Sequence, residues 1–291
     1  MNTGKYSYQV VDVFTQRPLE GNPLAVFTNG TDLDSETMQN IARELNLSMT
    51  AFMLPSSEPG CDARVRIFTP TRELAFAGHP TIGAAYVMLT LGMVTPGTER
   101  FVLQEEMGPV PVRVEQGNRP LIWLVAPRIY DGPVYEHALC ARVLGLEVSD
   151  LLPCAPQWLS AGNPTVFIGL RNKEAVDRAV VDIPGLLELQ GASEPICIFV
   201  FAPVPEGAYS RVFAMGNAII EDPATGSATG ALVEYMTRHN LAPGTRFVSE
   251  QGTRMKRRSL LHVRIHAYTG LREIEVGGYV TPLVRAEMQL W

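Results

Sequence analysis

Cysteine is scarce and poorly placed for cross-linking. The four cysteines, Cys61, Cys140, Cys154 and Cys197, form no CxxC pair and show no metal-type spacing with the five histidines. This argues against a disulfide framework and a zinc site and fits a reducing cytoplasm. No apolar run reaches the roughly 18 residues a membrane helix needs. The opening stretch MNTGKYSYQVVDVF lacks the basic-then-apolar layout of a signal peptide, so a soluble, cytoplasmic protein with no membrane partner is expected. Charge is sparse too. Charged residues make up 19% of the chain and the formal net charge is -6, which argues against a nucleic-acid partner. The one basic cluster, Arg254, Lys256, Arg257 and Arg258, reads as a solvated turn. What is abundant is apolar: 46% of 291 residues are hydrophobic, enough for two ordinary cores and unlike a disordered chain.

Taken in order, residues 6–14 alternate and are β-branched or aromatic, which predicts a strand, and residues 24–27 predict a second. A helix is expected over 34–45, capped by Asp34 or Ser35, with Met38, Ile41, Ala42 and Leu45 as its apolar stripe. Strands are expected over Met49 to Leu54 and Ala63 to Phe68. Segment 69–80 reads as a turn carrying Gly78-His79-Pro80, with a helix opening at Thr81 and running to about Leu91. Strands near 100–105, 109–115 and 120–127 follow, and then a helix-like run over 134–145.

Landmarks of the first half recur in the second. Gly21-Asn-Pro returns as Gly162-Asn-Pro, 141 residues on, and Pro96-Gly-Thr98 returns as Pro243-Gly-Thr245, 147 on. Gly83 in Thr81-Ile-Gly-Ala-Ala85 matches Gly230 in Ala228-Thr-Gly-Ala231, and Arg100-Phe-Val102 matches Arg246-Phe-Val248. The period is too long for a solenoid and indicates one duplicated α+β lobe. Two such lobes about a pseudo-two-fold would point matching helix N-termini at one cleft, a favoured kind of ligand site.

The most telling stretch is Glu221-Asp-Pro-Ala-Thr-Gly-Ser227, a strand, a tight turn and a helix start. The unpaired N–H groups of a first helical turn and the positive end of its dipole attract an anion. Gly226 permits close approach, Ser227 adds a hydroxyl, and Asp222 is a candidate acid/base group beside the bound anion. His79 and Gly78 hold the corresponding place in the first half. An acid/base group from each side suits a reaction that removes a proton and returns it elsewhere.

These motifs carry a resemblance. DVFTQRPLEGNPLAVF at 12–27, IARELNLS at 41–48, RIFTPTRELAFAGHPTIGAA at 66–85, EDPATGSATGAL at 221–232, EQG at 250–252 and VGG at 276–278 are similar to the PhzF-like phenazine biosynthesis family, whose fold resembles that of diaminopimelate epimerase. The resemblance implies an α+β protein of two duplicated lobes, each a bent, mostly antiparallel sheet around a central helix. The lobes expected are residues 1–120, with the C-terminal strand 279–291 returning to them, and residues 121–278. It also implies a homodimer, no cofactor and no metal. In the family's phenazine enzyme, protons are relocated within a small unsaturated amino carboxylic acid. Carried over by position, the acid/base groups include His79 and Asp222, and the substrate carboxylate meets Gly226 and Ser227; Gly78 and Thr225, in the same helix-opening loops, are further candidate substrate-binding residues. The family's principal shuttle, a Glu following the NLS motif, is here Met49.

A thioether is an apolar filler and cannot carry a proton at neutral pH. Glu44 lies about one turn back in the preceding helix and does not replace it. Three expectations stay open: a different proton transfer through His79 and Asp222, another reaction on a related carboxylate, or binding without turnover. The helix-opening loops contain no Cys, which excludes the two-thiol mechanism of epimerases. Glu73 reads as structural, Asn22 and Asn163 as turn-holding residues, Cys197 as core, and His239, His262 and His266 as surface or strand residues.

Overall fold

In the computed structural model, described over residues 4–191, 196–214, 221–268 and 271–290, the chain divides into two compact units. One comprises residues 1–125 with 277–291, the other residues 126–276. The first opens with strands β1 (Gly4–Val13) and β2 (Asn22–Phe27) and helix α1 (Ser35–Leu45). Asp34 caps α1 by accepting the Thr37 N–H at 2.8 Å, and Asn46 ends it in the left-handed conformation. Then come β3 (Met49–Leu54), β4 (Ala63–Phe68), the two-residue β5 (Glu73–Leu74), α2 (Gly78–Thr90), β6 (Arg100–Glu105), β7 (Gly108–Glu115) and β8 (Leu121–Val125).

Consecutive strands pair antiparallel except where a helix intervenes: β2 with β3 and β4 with β6 are parallel. This is the expected consequence of a crossover connection. Helix α2 is buried from Gly78 through Ala85, so the sheet closes on an apolar helix. On the other face α1 packs Met38, Ile41 and Ala42 against Phe27, Phe52 and Phe68, whose rings follow one another at 4.8 and 5.5 Å.

The second unit contains β9 (Tyr130–Val134), α3 (His137–Val143), β10 (Gln157–Ser160), β11 (Pro164–Gly169), α4 (Lys173–Arg178), α5 (Ile183–Gln190), β12 (Cys197–Val204), β13 (Gly207–Ala214), β14 (Glu221–Asp222), α6 (Gly226–Arg238), β15 (Arg246–Gln251), β16 (Ser259–Tyr268) and β17 (Leu271–Gly278), whose last two residues belong to the first unit. The chain then ends on β18 (Val280–Leu290), antiparallel to β1 of the first unit.

Strand for strand, the second unit repeats the first. β10/β11 are antiparallel, β11/β12 parallel, β12/β13 and β13/β14 antiparallel, β13/β15 parallel and β15/β16 antiparallel. β9 borders β10 as β18 borders β1. Its central strands are buried on both faces, and their alternation sorts two cores. Ile198 and Val200 join Val166, Ile168 and the helices α3 to α5, while Phe199 and Phe201 join Phe167 and the α6 residues Leu232, Tyr235 and Met236.

Three boundaries differ from the sequence expectation. Helix α2 starts at Gly78, not Thr81. Pro80 is tolerated in a first turn because its missing N–H has no intrahelical partner there. The run 134–145 is instead the end of β9 followed by a shorter helix. Finally, α2 and α6 begin 148 residues apart, so Gly83 corresponds to Ala231 rather than Gly230. Each glycine answers a local neighbour. A Cβ on Gly83 would lie 2.4 Å from Leu24 Cδ2, and one on Gly230 2.6 Å from Ala126 Cβ.

Candidate active site

His79 is the second residue of α2 and is 3% exposed. The Asn22 side-chain nitrogen lies 3.5 Å from His79 Nδ1, and Ser48 Oγ donates to Asn22 Oδ1 at 2.6 Å. That hydroxyl orients the amide so that its NH₂ faces the ring. An amide NH₂ only donates, so Nδ1 is the accepting nitrogen and the ring proton sits on Nε2. Nε2 is buried without a hydrogen-bond partner among the described residues. Burial alone pushes the His79 pKa down to about 3, so the imidazole is neutral throughout the physiological range. It offers one N–H donor held by a Ser48–Asn22–His79 chain. Asn22 thus does more than hold a turn, and Ser48 was not singled out from the sequence. Their partners lie far along the chain, and the shared Gly-Asn-Pro motif was the available signal.

Met49 follows Ser48 directly, as the first residue of β3, and is partly exposed rather than sealed in a core. It stands opposite Leu24 in the parallel β2/β3 register. The same register places Cys197 opposite Thr165 in the second unit, so Cys197 is the Met49 equivalent. Cys197 belongs to an apolar core, with Sγ 3.7 Å from Asn163 Oδ1.

The Asp222 loop is tied down differently. Thr225 donates its N–H to Gln251 Oε1 at 3.1 Å. Gln251 Nε2 donates to the Asp222 carbonyl at 2.7 Å and to Thr225 Oγ1 at 3.0 Å. The Thr225 hydroxyl in turn donates to Asp222 Oδ2 at 2.5 Å. Asp222 is therefore not the N-cap. Thr225 occupies that position, yet its hydroxyl is turned to Asp222, and α6 begins at Gly226 with no side-chain cap. Ala77 leaves α2 equally uncapped. Both helix starts thus present first-turn N–H groups of the kind that receive anions, and Asp222 and Ser227 are partly exposed.

Glu73 makes a two-pronged ion pair with Arg66, both contacts at 2.7 Å, and Arg66 lies 5.2 Å over the Phe68 ring. The second unit repeats the clamp. Arg211 holds both oxygens of Glu221 at 2.9 Å and lies 4.8 Å over Phe213. Glu73 is structural. His266 Nε2 lies 2.8 Å from Glu275 Oε2, an oxygen that Arg264 also holds at 3.0 Å. In that group of His266, Glu273 and Glu275 the Arg264 guanidinium already pairs with Glu275. None of the four cysteines is in a disulfide, and among the described residues no helix is long and apolar enough to cross a membrane.

A 35% identical relative, covering 94% of this chain and 95% of its own length, is the trans-2,3-dihydro-3-hydroxyanthranilate isomerase of Pseudomonas aeruginosa. Two solved structures share the fold. The PhzF-family phenazine biosynthesis protein of Bacillus anthracis has a TM-score of 0.85 at 23% identity, covering 99% of this chain and 100% of its own. A Pseudomonas aeruginosa protein titled "Predicted Epimerase" has a TM-score of 0.81 at 33% identity, covering 98% and 100%. The phenazine biosynthesis-like family model matches residues 11–285, a span that holds the Asn22–His79 pairing, the Asp222 loop and both helix starts, and the chain belongs to that family.

Proposed function

We propose that the protein is a cofactor-independent isomerase of a small unsaturated or amino-substituted carboxylic acid, acting by acid/base relocation of a proton. The observation that carries the reading is His79, a buried neutral imidazole with one orphaned N–H at an uncapped helix start. In the proposal the substrate carboxylate is received by the N–H groups opened by Gly226, with Thr225 and Ser227 beside it, while Gly78 opens the corresponding N–H groups at the start of α2. Asp222 accepts and returns the proton, and His79 donates a hydrogen bond to the charge that develops. Such a neutral donor stabilises an enolate-like state without needing to titrate.

The test is incubation with trans-2,3-dihydro-3-hydroxyanthranilate and related diene carboxylates in D₂O, followed by mass spectrometry of the product. Substrate-dependent deuterium incorporation is expected, falling about 10²- to 10⁴-fold in Asp222→Asn and His79→Ala. Exchange that survives the loss of both residues overturns the reading. Met49 favours a second reading, a family member that binds such an acid without turnover. Thermal stabilisation by an acid that is never converted is its signature. A homodimer is also proposed from family membership. Sedimentation should give about twice the 31.9 kDa chain mass, and a single-chain species at micromolar concentration refutes it.

A further inference from the structure

Glu105 was not singled out from the sequence, and the proposed reaction does not use it. It ends β6 with 3% of its surface exposed. Its Oε1 lies 2.5 Å from Thr81 Oγ1, and its Oε2 is buried without a hydrogen-bond partner among the described residues. Thr81 is the fourth residue of α2, and its hydroxyl also lies 2.8 Å from the carbonyl oxygen of Ala77, the residue preceding the helix. A hydroxyl has one proton. If it goes to the carbonyl, which only accepts, the short contact needs a proton from Glu105. An ionised carboxylate there would leave one oxygen wholly unsolvated.

The second unit offers an internal comparison. Glu105 ends β6 as Gln251 ends β15, and Thr81 corresponds to Thr229, whose hydroxyl likewise donates four residues back, to Thr225. Gln251 is an uncharged amide that ties its helix-opening loop through three hydrogen bonds. The position is thus filled twice by a side chain of similar length and shape, and in each unit that side chain binds the segment that starts the central helix.

We propose that Glu105 is a positioning residue, an un-ionised carboxylic acid that holds the opening turn of α2, and with it His79, through Thr81. The role rests on the reading of His79 as a functional group. Burial supports it by pushing the Glu105 pKa up to about 8. Charged groups on the surrounding elements are otherwise engaged: Arg64 on β4 pairs with Glu106 at 3.6 Å, and Glu58 accepts from Gln104 at 3.3 Å. His79 on α2 is uncharged.

Glu105→Gln tests the protonation state. With the folded pKa raised, the native state keeps a proton that the unfolded chain has released above about pH 4.5, so stability falls as pH rises toward 8. Between pH 5.5 and 7, well between the unfolded and folded pKa values of Glu105, the wild-type unfolding constant should rise about tenfold per pH unit relative to the variant, in which the His79 contribution is the same and cancels. Equal pH dependence in the two proteins overturns the proposal. Positioning is read from the ¹⁵N spectrum of the His79 ring. Glu105→Gln should preserve the Nε2–H tautomer signal, while Thr81→Ala should shift or broaden it. An unchanged ring signal in Thr81→Ala refutes the positioning role. Neither readout uses turnover, so failure here is distinguishable from failure of the isomerase reading.

Discussion

Met49→Glu should raise solvent-deuterium incorporation into a diene carboxylate by about 10²- to 10⁴-fold, the usual contribution of one positioned acid/base group. Met49 is partly exposed at the first position of β3. A carboxylate there keeps water access and avoids the burial penalty of an unpaired charge. The change in folding stability should stay within about 0.5 kcal/mol. One neighbour bears on the outcome. Ser48, adjacent in sequence, anchors Asn22 and through it His79, so a group at position 49 grows from the backbone that positions the imidazole. A Met49→Glu variant that folds and binds the acid but incorporates no deuterium would mean that the site serves another reaction or none.

Arg211→Met should destabilise the chain by about 3–5 kcal/mol in chemical denaturation, the range for breaking a buried ion pair by removing one partner. The Arg211 and Glu221 side chains are only 10% and 17% exposed. Besides Glu221, the guanidinium donates to the carbonyl oxygens of Val176, Asp177 and Ala179 at 3.1, 3.2 and 2.7 Å, closing the C-terminal end of α4. Losing it strands a carboxylate and three carbonyls together. Arg66→Met, in the corresponding clamp, should cost about 1 kcal/mol. Its partner Glu73 is 33% exposed and stays hydrated once unpaired. Glu221 precedes Asp222 on β14, so Arg211→Met should also weaken the proposed proton transfer. Equal losses in the two variants would contradict this ranking.

Much of the fold was legible in local pattern. Strands β3 and β4 carry their bounds in alternation and flanking turns, and α1 carries its cap and stripe in the run from Asp34 to Asn46. The start of α2 was obscured because Gly78 and Pro80 have the composition of a turn, although both fit a first helical turn. The site was legible only where a motif is contiguous, as from Asp222 to Ser227. Asn22 meets a histidine 57 residues away, and Glu105 meets a threonine 24 residues back. Periodicity reports which face a residue occupies, not which distant side chain shares its pocket. Only the duplication carried a hint, since Glu105 has Gln251 as its counterpart and Asn22 has Asn163.

That duplication gives the molecule an internal alignment, two copies of one ancestral lobe preserved in a single chain. Where the copies agree, as at Arg66 and Arg211, Glu73 and Glu221, or Thr81 and Thr229, the shared residue records what the lobe needs in order to fold. Where they disagree, one copy was free to specialise: His79 against Ser227, Leu74 against Asp222, Glu105 against Gln251, Met49 against Cys197. The disagreements cluster at the ends of strands and the starts of the two central helices. Exchanging residues between the copies at those positions introduces only side chains that the equivalent position of the other lobe already carries, and it defines a small library for shifting the chemistry without redesigning the fold.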